Sequence, residues 1–117
     1  MNIRNFSTPH KRGVRDADAV TLAVIHYTGS TSFSGTVDWF RSERDVSRVS
    51  AHYVIGRDGE VGRFETIHDT LWHAGKSEWE GRKWCNGFSI GYELVGTFGS
   101  GFPDEQMNAL IELLYQD

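Results

Sequence analysis

The sequence predicts an α/β domain, and three stretches carry that expectation. From Phe88 to Val95, the bulky residues Phe88, Ile90, Tyr92 and Leu94 alternate with Ser89, Gly91, Glu93 and Val95, the period of a strand with two unlike faces. Around Asp58-Gly59, two short β-prone runs, residues 51–56 and 60–64, flank a dipeptide that accepts the positive φ of a tight turn, which predicts an antiparallel hairpin. From Pro103 to Asp117, Met107, Leu110, Ile111 and Leu114 recur at i, i+3, i+4 and i+7. That spacing predicts an amphipathic helix laid on the sheet, with Pro103 at its first position.

The remaining segments fit between these. Residues 1–19 are polar, contain Pro9 and Gly13, and read as an entry arm without regular structure. The run TLAVIHYT sets Leu22, Val24, His26 and Thr28 against Ala23, Ile25 and Tyr27, so it reads as an inner strand, apolar on both faces. A Gly/Ser-rich turn follows, and then Thr36 to Ser42 predicts a short helix packing Val37 and Phe40 at i, i+3. Between Thr66 and Gly87, broken by glycines and carrying Trp72, Trp79 and Trp84, a long loop is expected, with a short strand near Leu71 to His73. A loop of that length in a small domain is usually functional.

Composition narrows the function classes. At 117 residues, with 38% hydrophobic and 24% charged residues, the chain is one globular domain with room for a single core. A formal charge of −4 argues against a general nucleic-acid binder, whose phosphate contacts require a basic surface. No apolar run approaches membrane-spanning length, and the start has no apolar core of a secretory signal. Cys85 is the only cysteine, so an internal disulfide is excluded; it reads as a structural thiol, and a cytoplasmic location fits.

The histidines at 10, 26, 52, 68 and 73 include no HExxH or HxH pair that would place two metal ligands together locally. His10 and His68 sit in polar surroundings and read as solvent-exposed. His52, in a β-prone run, reads as a hydrogen-bonded structural imidazole. His73, between Trp72 and Ala74-Gly75, belongs either to a sugar- or peptide-binding wall or to a packed corner. His26 ends a strand and leads into a Gly/Ser loop, the usual edge for sites in open sheets, so it is either a ligand or a buried structural imidazole. Glu93 stands on a strand face left otherwise bare by Ser89 and Gly91, so it is either a buried structural carboxylate or a general acid or base reaching into a hollow.

Taken in order, VIHYTG, RVSAHYVIGRDGEVGRF and LWHAGKSEWEGRKWCNGFSIGYELVG resemble the zinc-dependent N-acetylmuramoyl-L-alanine amidases, the amidase type 2 family that includes T7-type lysozymes and is related to peptidoglycan recognition proteins. The SAH, WHAG, GR, CN and SIG-E-L-G elements are most similar to the branch that trims anhydro-muropeptides during cell-wall recycling. The resemblance implies a central mixed sheet flanked by helices, with a zinc in a groove over one face.

By the same resemblance, His26 matches a zinc ligand and Glu93 the general base. Arg48 matches an arginine that contacts the stem-peptide carboxylate, and Trp72, His73 and Ala74 match the wall of the substrate groove. The implied reaction is hydrolysis of the bond between N-acetylmuramic acid and L-alanine in peptidoglycan or muropeptides. In the family the other zinc ligands follow the last helix, so they are expected beyond Asp117 of a single domain, 1–117, truncated there. Catalytic zinc normally takes three protein ligands. A non-catalytic muropeptide-binding module is therefore the alternative, and His52 or His73 as a substitute ligand is disfavoured because nothing in their spacing brings them to His26.

Overall fold

The computed structural model describes residues 3–42, 49–74 and 76–116. Its elements are strands β1 (Ile3–Phe6), β2 (Lys11–Val14) and β3 (Leu22–Tyr27), helix α1 (Phe33–Arg41), strands β4 (Tyr53–Ile55), β5 (Val61–Phe64), β6 (Asp69–Leu71), β7 (Glu78–Trp79), β8 (Arg82–Lys83) and β9 (Ser89–Leu94), and helix α2 (Asp104–Gln116). Five strands form one mixed sheet in the order β1-β5-β4-β9-β3, and two small ribbons, β2-β6 and β7-β8, stand beside it. This is the mixed sheet with helices that the sequence predicts.

The two faces of the sheet carry two cores, and β9 gives its bulky side chains to one of them. Its bulky face, with Ile90, Tyr92 and Leu94, meets Tyr53, Ile55 and Val61 of the sheet and Ala109, Leu110 and Leu113 of α2. On the other face Val54, Phe64, Leu71 and Val95 pack against Val37 and Phe40 of α1. Ser32 caps α1 by accepting from Gly35 N at 2.9 Å, so the helix begins three residues earlier than its apolar spacing suggests. The hairpin forms as predicted: β4 and β5 pair antiparallel, and Gly59 adopts φ +88° at the turn.

Three expectations are corrected. The entry arm is structured: β1 pairs in parallel with β5 and β2 antiparallel with β6. Every residue of β2 is exposed, so main-chain pairing rather than an apolar pattern makes that strand, which is why the polar sequence hid it. Second, β3 has β9 as its single neighbour among the described residues. Its Ile25 and Tyr27, on the α2 side, stay 49% and 51% exposed because α2 covers β4 and β9 rather than this edge.

Third, α2 is rotated from its expected stripe. It buries Gln106, Ala109, Leu110 and Leu113, leaving Ile111 and Leu114 exposed. The Gln106 amide donates to Ile55 O and Val95 O, each at 2.9 Å, and those two main-chain bonds at the strand ends set the helix facing. Pro103 precedes the helix, its carbonyl accepting from Met107 N.

Candidate active site

His26 and Glu93 are brought together by strand register. In the parallel pair β3-β9, His26 is the Cα partner of Glu93, Val24 of Gly91, and Leu22 of Ser89. Register partners share a face, so His26 and Glu93 stand side by side near the C-terminal ends of two parallel strands, on the α1 side of the sheet.

The small-residue face beside Glu93 is not a hollow; this corrects the sequence reading. The His73 ring fills it, lying so close to the main chain of Gly91 that a Cβ there would come within 2.4 Å of His73 Cγ. The loop carrying His73 is held from below. Asn86 Oδ1 accepts from His73 N at 3.1 Å and from Ala74 N at 2.8 Å. Two hydrogen bonds join Ser50 and Trp72, Ser50 N donating to Trp72 O and Trp72 N to the side-chain Ser50 Oγ. Asn86 itself sits in the 3₁₀ turn Cys85–Phe88 that leads directly into β9.

Forty-seven residues apart in sequence, His26 Nε2 and His73 Nδ1 lie 3.4 Å from each other, their rings crossing at 71°. The other ring nitrogen of His73 is 3.0 Å from Ser89 Oγ, and that hydroxyl donates to Cys85 O at 2.6 Å. With its one proton directed to Cys85, Ser89 Oγ accepts from His73 Nε2–H, which leaves Nδ1 of the neutral ring as the acceptor facing His26 Nε2.

His52 is the structural imidazole that the sequence predicts. It is buried, its Nδ1 accepts from Gly91 N at 3.1 Å and its Nε2–H donates to Asp69 O at 2.8 Å. His10, expected in solvent, is buried as well: its ring nitrogen bonds Ser42 O at 2.7 Å, and its carbonyl accepts from Ser50 Oγ. His68 is exposed as expected, and Cys85 is a buried free thiol.

Burial dominates the electrostatics. It pushes the Glu93 carboxyl up to about 7. It pushes His73 down to about 3, with the neighbouring His52, His26 and Arg15 adding to the shift, and His52 down to about 4. His26 is lowered by the same cause. The site therefore holds neutral imidazoles beside a carboxyl that exchanges its proton near neutrality.

The zinc implied by the resemblance can be tested against this donor set. A tetrahedral metal with bonds to nitrogen of about 2.05 Å spaces its donors about 3.3 Å apart. His26 Nε2 and His73 Nδ1, 3.4 Å apart, instead satisfy each other as a hydrogen-bonded pair. Among the described residues no group of three or more His, Cys, Asp or Glu residues gathers around a metal position, so His26 stands without the three protein ligands a catalytic zinc takes.

The other expected residues are placed less centrally. Trp72 lines a cavity with Pro9, His10, Lys11 and Arg12, and Ala74 touches the site through its main chain. Arg48 lies outside the described residues. Sequence reasoning missed Arg15, whose guanidinium donates to Ile67 O at 2.8 Å, Asn86 O at 2.8 Å and Ser89 O at 2.7 Å, tying three segments together beneath the site. Nothing in its turn-like surroundings distinguishes it. A further cavity is lined by Asn5, Phe6, Arg63 and Glu65 together with His52, Tyr53 and Ile90.

A desolvated carboxyl beside neutral imidazoles, at the ends of parallel strands, is the equipment of a hydrolase. The profile of the N-acetylmuramoyl-L-alanine amidase family matches residues 16–116, and the chain belongs to that family. It is 36% identical over 125 residues to the 1,6-anhydro-N-acetylmuramyl-L-alanine amidase AmpD of Escherichia coli K12, covering 94% of this chain and 68% of that enzyme. It is 34% identical to AmpD of Haemophilus influenzae over the same shares of the two chains.

Among solved structures, a selenomethionine AmpD superposes with a TM-score of 0.84 at 31% identity, covering 96% of this chain and 71% of that one. The E. coli amidase AmiD, solved with anhydro-N-acetylmuramic acid-L-Ala-D-γ-Glu-L-Lys, gives 0.72 at 25% identity, covering 84% of this chain and 42% of that one. These relatives belong to the anhydro-muropeptide branch that the SAH and WHAG elements suggest.

Proposed function

We propose that this chain hydrolyses the amide between N-acetylmuramic acid and L-alanine, acting on anhydro-muropeptides or the peptidoglycan from which they derive. The observation that carries the reading is the register pairing of His26 with Glu93, whose carboxyl titrates near 7. A general base works best when its pKa lies near the operating pH, because it is then both ionised and able to return the proton.

A zinc held at His26 would polarise the scissile carbonyl and acidify the attacking water. Glu93 takes the proton of that water and delivers it to the leaving amine of L-alanine. The His73–Ala74 main chain, fixed by Asn86, forms one wall for the stem peptide, and Trp72 offers an apolar face. The resemblance assigns Arg48 to a stem-peptide carboxylate, which a guanidinium would take by a forked contact. A cytoplasmic setting accords with the branch resemblance and with Cys85 as a buried free thiol. Among the described residues no helix is long and apolar enough to cross a membrane.

The test is incubation with zinc and an anhydro-N-acetylmuramyl tripeptide, following release of the L-alanyl peptide by mass spectrometry. Glu93→Gln is expected to lower the rate about 10²- to 10⁴-fold. An undiminished rate would remove Glu93 from the chemistry.

A second reading is favoured by one observation, that among the described residues no group of three or more His, Cys, Asp or Glu could hold a metal ion. In it the chain binds muropeptide without cutting. Saturable binding by calorimetry, with no peptide released after zinc addition, would support that module.

A further inference from the structure

We propose that the cavity beside Arg63 is a second binding site of this chain, taking a small carboxylate carried on a branched apolar body. The inference goes beyond the amidase reading and does not depend on it. Sheet register, the shape of the cavity and the surroundings of one guanidinium carry it.

Asn5 is the register partner of Arg63, Arg63 of Tyr53, and Tyr53 of Tyr92, so these four side chains stand in a row across β1, β5, β4 and β9. Side chains alternate along β9, which puts the row on the face opposite Glu93. Tyr53 and Tyr92 stack at 5.2 Å and 9°, and that pair stiffens the middle of the row. Beyond Phe64 the chain turns at Glu65, whose φ is +62°, and Ile67 comes back against the core that holds Tyr53 and Ile90. Arg15 Nε donates to Ile67 O at 2.8 Å and fixes that return. The result is a cavity of about 490 Å³, with Tyr53, Ile67 and Ile90 in its apolar lining and Asn5 and Arg63 in its polar lining. Small-molecule sites commonly enclose about 300–1,000 Å³, mostly apolar with a few placed polar groups.

Arg63 supplies the charge. Its Nε donates to Asn5 Oδ1 at 2.9 Å, which orients the guanidinium; among the described residues its two terminal nitrogens have no hydrogen-bond or ion-pair partner. Glu65, the carboxylate that shares the lining, is engaged elsewhere: one oxygen accepts from Thr8 N at 3.2 Å, and the other lies 3.5 Å from Lys11 Nζ. A planar guanidinium with its outer nitrogens open takes one carboxylate by two parallel bonds. The apolar lining then favours a ligand whose body covers Ile67 and Ile90 rather than a bare anion.

The experiment titrates the whole chain with isocaproate, N-acetylleucine and the uncharged isohexanol, following backbone amide shifts by NMR. The parent and Arg63→Gln are compared, each checked for cooperative unfolding. Saturable shifts centred on Asn5, Arg63, Ile67 and Ile90 are expected with at least one acid, and binding at least ~10-fold weaker for the alcohol and for Arg63→Gln. Saturation by isocaproate supports a free acid as the ligand, and saturation by N-acetylleucine alone supports the C-terminus of a peptide. No saturation by either acid, shifts centred on His26 and Glu93 instead, or equal affinity for the alcohol would overturn the proposal, as would unchanged affinity in a folded Arg63→Gln. Should that variant fail to fold, the comparison of acid with alcohol on the parent decides alone. Peptide release is not read, so failure of this site leaves the amidase reading standing, and failure of the amidase reading leaves this site standing.

Discussion

His73 occupies the space in which a side chain at position 91 would stand, since a Cβ on Gly91 would lie 2.4 Å from His73 Cγ and 2.8 Å from its Nδ1. The imidazole is wedged between a strand main chain and its own loop, and neither has a flexible end that can give way. Gly91→Ala is therefore expected to push the ring out or strain the strand, at a cost of about 1–3 kcal/mol. Urea denaturation would measure the cost.

Glu93 links the site to stability. Its folded pKa of about 7 lies above its ordinary value of 4.5 because burial disfavours the charged form. Below 4.5 both states are protonated and burial of the neutral carboxyl carries no ionic penalty. As pH rises through 7 the folded protein has to ionise a desolvated group, so stability is lost. In metal-free protein, Glu93→Gln is expected to be more stable than the parent at pH 8, by on the order of 2 kcal/mol, and little different at pH 4.5. Denaturation midpoints at the two pH values would decide it, and a pH-independent difference would refute the assignment.

The histidines act in the opposite sense. His52 and His73 have folded pKa values of about 4 and about 3 against 6.5 when free, so the fold favours their neutral forms. Their contribution is fully present above pH 6.5 and is lost as pH falls toward those folded values, because the unfolded chain takes up protons first. A loss of roughly 2 kcal/mol per imidazole is expected between pH 7 and 4.5. His73→Phe should remove about half of this slope, which a pH series of chemical melts would show.

Gln106 is the polar pin of α2. Its buried amide donates to Ile55 O and Val95 O, the carbonyls at the ends of β4 and just past β9. Gln106→Ala leaves both carbonyls without that donor and is expected to cost about 2–3 kcal/mol. Gln106→Glu, which replaces the donor amide by an acceptor, should cost more. Thermal unfolding of the two variants tests the order.

How far the sequence reaches depends on whether the cause of a feature is local. The Asp58-Gly59 turn, the alternation of β9 and the helical spacing of α2 are each set within a few residues, and all three elements form. His26 and Glu93 stand out in the sequence because a histidine at a strand end and a carboxylate on a small-residue face are themselves local patterns. Their pairing required the parallel register of two strands separated by most of the chain.

The sequence by itself determined the α/β class, the hairpin, the two unlike faces of β9, and the motif order that leads to the amidase family. Tertiary structure alone decided that β1 joins the sheet, that α2 turns Gln106 rather than Ile111 inward, and that Arg15 ties three segments beneath the site. It also decided that His73 lies against Gly91 and 3.4 Å from His26. The physical reason is common to all four. Main-chain hydrogen bonds and ring contacts between distant segments leave no periodicity in the sequence, because the partner that satisfies each group is chosen only when the chain closes on itself.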